Sequence, residues 1–139
     1  MIRRASIADV PKIVKVEDLS FPVPWPDFFF KAHLNNPGFV VYEREGNILG
    51  YAIIGNSKGR AHLQNIAVHP QFRRQGIGAE LIEWCIDLVK LYGYREMVLE
   101  VREKNTSSQN FYANSGFKVS GTVEGYYVDE NAVIMTRQI

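Results

Sequence analysis

The segment Ile66-Ala67-Val68-His69-Pro70-Gln71-Phe72-Arg73-Arg74-Gln75-Gly76-Ile77-Gly78 constrains the chain most, because it joins the end of a strand to the start of a helix through a basic, glycine-spaced turn. From Ile77 to Tyr92 the apolar residues Ile77, Leu81, Ile82, Cys85, Leu88, Val89 and Tyr92 recur at helical spacing, with Glu80, Glu83, Asp87 and Lys90 on the other face. Gly76 and Gly78 therefore stand at a helix N-terminus. There the first N–H groups have no partner inside the helix and the dipole favours an anion, which glycine lets approach by removing Cβ. Arg73 and Arg74 add guanidinium groups suited to phosphate oxygens, so the turn reads as a pyrophosphate cradle.

Two other phosphate-binding loops are excluded by the residues. No Gly is followed at the right distance by Gly-Lys-Ser/Thr, and a dinucleotide fingerprint would need a third glycine where Leu81 stands. What fits is Arg-x-x-Gly-x-Gly at Arg73, Gly76 and Gly78, after a strand reading Asn-Ile-Ala-Val-His-Pro. That arrangement resembles the acetyl-CoA-binding segment of the GNAT (GCN5-related) N-acetyltransferases, with Gln75 and Ile77 inside it.

With 139 residues the chain is expected to form one domain spanning 1–139. A net charge of +1 with scattered basic residues gives no field to draw it to nucleic acid or a membrane surface. The start lacks the apolar core of a signal peptide, and no stretch has the length of a membrane span, so a cytoplasmic protein is expected. The single cysteine, Cys85, lies on the apolar helix face and reads as a core residue, while His33, His62 and His69 show no metal-ligand spacing. No metal is expected.

Elsewhere the pattern predicts a short strand at Ile2 to Arg4 and a helix from a Ser6/Asp9 start to about Leu19. A second helix is predicted from Pro26 to before Asn36-Pro37-Gly38. Between them, Ser20-Phe21-Pro22-Val23-Pro24-Trp25-Pro26 reads either as an aromatic plug over the core or as a wall for a short peptide. Phe39 to Glu43 and Ile48 to Ile54 form a hairpin through a turn containing Gly46-Asn47. In the next strand the apolar residues fall at Ala61 and Leu63, then at Ile66 and Val68. The phase slips by one, which a β-bulge produces; a strand buried on both faces is the rival reading. Strand Glu96 to Val101, a helix capped from Asn105-Thr106-Ser107-Ser108 and stopped at Gly116, and a hairpin of Phe117 to Gly125 with Ala132 to Arg137 complete the chain.

The order βααβββαβαββ matches the GNAT fold over essentially the whole chain. It implies an α/β (α+β) architecture: a central mixed, mostly antiparallel twisted sheet of about seven strands, flanked by about four helices. The resemblance also implies that acetyl-CoA is the cosubstrate, lying in a cleft between the bulged strand and strand Glu96 to Val101. The family implies that the cofactor-binding stretch Ile66-Ala67-Val68 bonds to the pantetheine arm through backbone of Ile66 and Val68, and that the Val68 N–H polarises the thioester carbonyl.

Glu100, in Leu-Glu-Val-Arg, reads as a general base or as the partner of Arg102 in an ion pair. Leu-Glu-Val-Arg followed by Asn105 and Tyr112 resembles the RimI-type branch, which acetylates protein N-termini, ribosomal proteins among them; there the matching glutamate is the proposed base. Tyr112 is similar to the family tyrosine that protonates the departing thiolate, its alternative being a core tyrosine, and Asn105 is either a cofactor contact or simply a cap. Tyr126 and Tyr127 match paired tyrosines at the peptide entrance, facing Phe21, Pro24 and Trp25. Ser108 departs from the alanine usual at its position. Lysine side-chain or small-amine acetylation is the alternative within enzymes, and a non-catalytic acetyl-CoA-binding module the alternative outside them. Oligomeric state is left between monomer and weak dimer.

Overall fold

The computed structural model describes all 139 residues as one seven-stranded sheet in the order β1-β2-β3-β4-β5-β7-β6. Its strands are β1 (Ile2–Arg4), β2 (Phe39–Arg44), β3 (Asn47–Ser57), β4 (Arg60–Val68), β5 (Glu96–Arg102), β6 (Lys118–Val123) and β7 (Ala132–Gln138). The helices are α1 (Val10–Ser20), α2 (Asp27–Ala32), α3 (Ile77–Leu91) and α4 (Thr106–Asn114). The order read from the sequence is the order observed.

Helices cover the sheet from both sides. Leu81, Ile82, Cys85, Ile86 and Val89 of α3 pack on Leu49, Ala61, Leu63, Met97 and Leu99 to form the larger core. Val10, Ile13 and Val16 of α1, with Phe30 of α2, form a second one on Val41, Tyr51 and Ile53. Each fully buried aliphatic side chain stabilises the fold by roughly 1.5–3 kcal/mol.

Local chemistry sets the boundaries. Ser6 and Asp9 form a reciprocal capping box around the single turn Ile7–Asp9 that leads into α1, and Pro11 falls in the first turn, where its missing N–H has no helical partner to lose. Helix α2 is shorter than the sequence predicts: it stops at Ala32, and tight turns follow in which His33 and Leu34 donate to Phe30 and Lys31. The first hairpin turns at Glu45-Gly46, both at positive φ, one residue earlier than predicted, so Asn47 pairs with Arg44.

The bulge in β4 is present. Ile53 pairs with Asn65 and Ile54 with Leu63, leaving Gln64 as the extra residue. Ala61, Leu63, Ile66 and Val68 consequently all face the larger core, as the slipped phase requires, whereas Ala67 faces the second. The bulge also re-aims β4 away from β5. These two parallel strands pair only at Ala61 with Met97 and His62 with Val98, while β3 follows β4 to Val68 and β7 follows β5 to Arg102. Past His62 the sheet splits into two halves. A wedge opens between Asn65–Val68 on one side and Leu99–Arg102 on the other.

Candidate active site

Backbone groups line one side of the wedge. His69 donates its N–H to Leu49 O of β3, and backbone groups alternate in direction along a strand. The N–H and C=O of Ile66 and Val68 therefore point the other way, towards β5, with which they form no ladder. Val68 O accepts from Arg73 Nε at 3.0 Å. Its N–H and those of Ile66 stand ready for an extended ligand.

At the mouth of the wedge the strand runs through His69 and the turn Pro70–Phe72 into α3. Gly76 caps α3 with φ +82°, a left-handed conformation that costs an L side chain strain, and a Cβ there would meet nothing within 4 Å. The first intrahelical bond runs from Glu80 N–H to Gly76 O, leaving the N–H groups of Ile77, Gly78 and Ala79 pointing outward. The open approach and free donors fit a diphosphate. Gly78 has a different reason: a Cβ on it would lie 2.9 Å from Phe111 Cζ of α4, so its smallness lets α4 close on α3.

The basic residues of the turn divide their work. Arg73, though exposed, adds a bond from its NH2 group to Ser20 Oγ at 3.1 Å and so ties the turn to the end of α1. Arg74, exposed and itself at φ +64°, has no partner within the chain. Gln75 Oε1 accepts from Arg44 at 3.3 Å, and Ile77 is buried in the larger core.

Opposite, β5 alternates cleanly. Met97, Leu99 and Val101 enter the larger core, so Glu100 projects from the other face, where it is half-buried. The ion pair with Arg102 weighed from the sequence does not form. Arg102 instead binds Asp129 at 2.7 Å and Glu130 at 3.0 Å and lies over the Tyr127 ring, 4.3 Å from its centre. Glu100 Oε1 accepts from His62 Nε2 at 2.7 Å and from the Tyr126 hydroxyl at 3.2 Å. Burial pushes this carboxyl up, but His62's hydrogen bond and charge, with Tyr126 and the field of Arg60, outweigh it and hold Glu100 below the usual carboxylate range. Oε2 is left free to accept from an ammonium.

His62 is the site residue that the sequence reading missed, because it judged histidines by metal spacing alone. Its signal is topological: it sits at the last β4 position paired with β5, beside Val98 and two residues from Glu100.

The predicted aromatic residues gather here in part. Tyr126 meets Tyr127 edge to face with ring centres 5.0 Å apart; burial raises both phenols, Tyr126 to about 12. Tyr112 packs on the larger core and against Phe117; burial first, then the nearby Tyr127, raises its phenol. Glu100, Tyr126 and Tyr127 thus form one connected group, whereas the ring contacts of Tyr112 are with Phe111 and Phe117. Asn105 Oδ1 accepts from Ser108 N–H at 3.1 Å, so that oxygen serves as the cap of α4, as its plainer reading had it. Phe21 and Trp25 pack partly on the second core, as the plug reading requires, yet both keep part of their surface open, and Pro24 is exposed. Cys85 is fully buried and its thiol is pushed up to about 12, which removes it as a nucleophile.

A split sheet, a bulged strand with free amides and a glycine-capped helix thus come together at the wedge. The family model of the GNAT acetyltransferases matches residues 10–117, and the chain belongs to this family. It is an acetyltransferase. Over 96% of its length it is 35% identical to an N-alpha-acetyltransferase of Sulfurisphaera tokodaii, of which it covers 90%. It is 33% identical to a putative ribosomal protein bS18-alanine N-acetyltransferase of Bacillus subtilis, again over 96% of the chain and 92% of that relative. The crystal structure of Ard1 from Thermoplasma volcanium superposes with a TM-score of 0.94 at 26% identity, covering 100% of this chain and 97% of that one. No helix is long and apolar enough to cross a membrane.

Proposed function

We propose that the protein transfers the acetyl group of acetyl-CoA to the α-amino group of a protein N-terminus, by direct attack while both substrates are bound. Acetyl-CoA supplies an acyl thioester whose thiolate is the leaving group. The observation that carries the reading is Glu100, a carboxylate whose Oε2 is free, set across the wedge from the free amides of Ile66 and Val68.

The N–H of Val68 donates to the thioester carbonyl oxygen as charge grows on it. The donor is fixed beforehand by the β3 ladder and by Arg73 on the neighbouring carbonyl, which is what makes such a bond effective. The outward amides of α3 and Arg74 hold the diphosphate. Glu100 receives the substrate ammonium at Oε2 and takes its proton, directly or through water. The neutral amine then attacks, the N–C bond forming as the C–S bond breaks; Tyr112 gives its phenolic proton to the departing thiolate and regains one as the nitrogen sheds its second proton in becoming the amide.

An α-amine is the substrate that this base suits. Near pH 7 roughly a tenth of such amines is neutral, against well under a thousandth of lysine side chains, and a carboxylate held anionic by His62 is a modest base. The likeness to relatives named for protein N-termini supports the same class, ribosomal proteins included. Initial rates with acetyl-CoA and a peptide varied together test the scheme. Intersecting reciprocal plots are expected. Parallel plots, which signal a covalent acyl-enzyme, or an absence of turnover with CoA still bound, would contradict it.

A further inference from the structure

Glu17 is 1% exposed and has no cationic partner. Its carboxylate is satisfied by three donors from three elements. Oε1 accepts from the Tyr51 hydroxyl of β3 and from Asn65 Nδ2 of β4 at 2.9 Å, and Oε2 accepts from the backbone N–H of Trp25 at 2.9 Å. An interior carboxylate without a counter-ion is expensive, and an apolar residue beside Ile13 and Val16 would serve α1 packing alone at lower cost. The arrangement asks for a role beyond packing.

The three bonds are unequal in consequence. Asn65 and Tyr51 lie on strands already held by the ladder, through Ile53 with Asn65 and Tyr51 with Ala67. Trp25 lies in a loop whose Pro22, Pro24 and Pro26 have no N–H to give, and its own N–H bonds only to Glu17. Loss of the carboxylate would leave β4 in register and free the loop.

We propose that Glu17 is a positioning residue for the peptide substrate: it staples the Phe21–Pro24–Trp25 wall to the bulged strand that leads to the reacting centre. This rests on the N-terminal acetylation reading above. Glu17 touches neither substrate and acts through Trp25. The staple fixes the wall against β3 and β4, so its loss falls on peptide binding and not on acetyl-CoA.

The test compares Glu17→Leu, Glu17→Asp and Glu17→Gln with wild type, varying a peptide substrate and acetyl-CoA separately. Glu17→Leu has no acceptor for Trp25; Glu17→Asp is one methylene short of holding both the strands and the loop. Each is expected to raise the peptide KM about 10-fold with the acetyl-CoA KM within about 2-fold, and to speed hydrogen exchange at the Trp25 amide. Glu17→Gln keeps an acceptor for Trp25 once Asn65 turns its amide to receive the new N–H, and is expected to stay near wild type. An unchanged peptide KM in Glu17→Asp, or an acetyl-CoA KM that rises in step with it, overturns the proposal. Wild-type turnover of the same peptide reports on the function itself, so the two failures are distinguishable.

Discussion

His62 Nε2 lies 2.7 Å from Glu100 Oε1, joining the last paired residue of β4 to the carboxylate of β5 at the point where the two strands part. This contact sets both the direction of the carboxylate and its acidity. Removing it in His62→Leu takes away the main influence opposing burial, so the Glu100 carboxyl rises. The anionic form is then lost at a higher pH as the solution is acidified. The acid limb of kcat/KM should move to higher pH than in wild type, whereas Glu100→Gln should lower kcat by about 10²–10⁴-fold at every pH. An unmoved acid limb in His62→Leu would detach the histidine from the base.

Tyr112 faces a lighter task. A thiol with an ordinary pKa of ~8.5 leaves tolerably without help, so Tyr112→Phe should reduce kcat about 10-fold and not abolish turnover. Thermal melting should change little, since the ring still packs against Phe117. Wild-type kcat in this variant would assign Tyr112 to the core alone.

The two glycines of the turn should fail differently. Gly76→Ala places a side chain at φ +82° and costs about 1–2 kcal/mol of backbone strain, read as weaker CoA affinity and a lower Tm. Gly78→Ala drives a methyl group into Phe111, so its loss of stability should be relieved by adding Phe111→Leu, and Gly76→Ala should gain nothing from that second change. Calorimetric melts and CoA titrations of the four variants check this.

Far from the site, Arg3 binds Asp9 through two nitrogens at 2.8 and 2.9 Å and also reaches Glu43. Arg3 first, then the Ser6 bonds, hold the buried Asp9 carboxyl below its ordinary value against the opposing effect of burial. A depressed folded-state pKa gives stabilisation that is full above the unfolded value of ~3.9 and is lost as pH falls through the folded one. Asp9→Asn should therefore cost about 1–2 kcal/mol at neutral pH, after allowance for the part-exposed Arg3, and flatten the acid end of the stability curve. Urea melts across the acid range measure it.

The sequence carried most of the fold because its signals were local. Helical spacing after Gly76, the Ser6/Asp9 capping box and the slipped phase of Ala61, Leu63, Ile66 and Val68 each sit within a few residues. What escaped it was pairing at a distance. His62 meets Glu100 38 residues on, and no local pattern states the register of a parallel pair. Arg102 was matched to its near neighbour Glu100, although the last hairpin brings Asp129 and Glu130 to it. No local pattern marks Glu17 as more than a residue of its helix, because the loop and strands that its carboxylate binds lie 8, 34 and 48 residues away.

The most direct measurement incubates the protein with acetyl-CoA and peptides that combine a free N-terminus, varied in its first residue, with an internal lysine, and locates the acetyl group by tandem mass spectrometry. The account predicts acetyl on the α-nitrogen, with N-terminally blocked peptides unmodified. Acetyl found on lysine in the blocked peptides, or on no peptide at all, would contradict it.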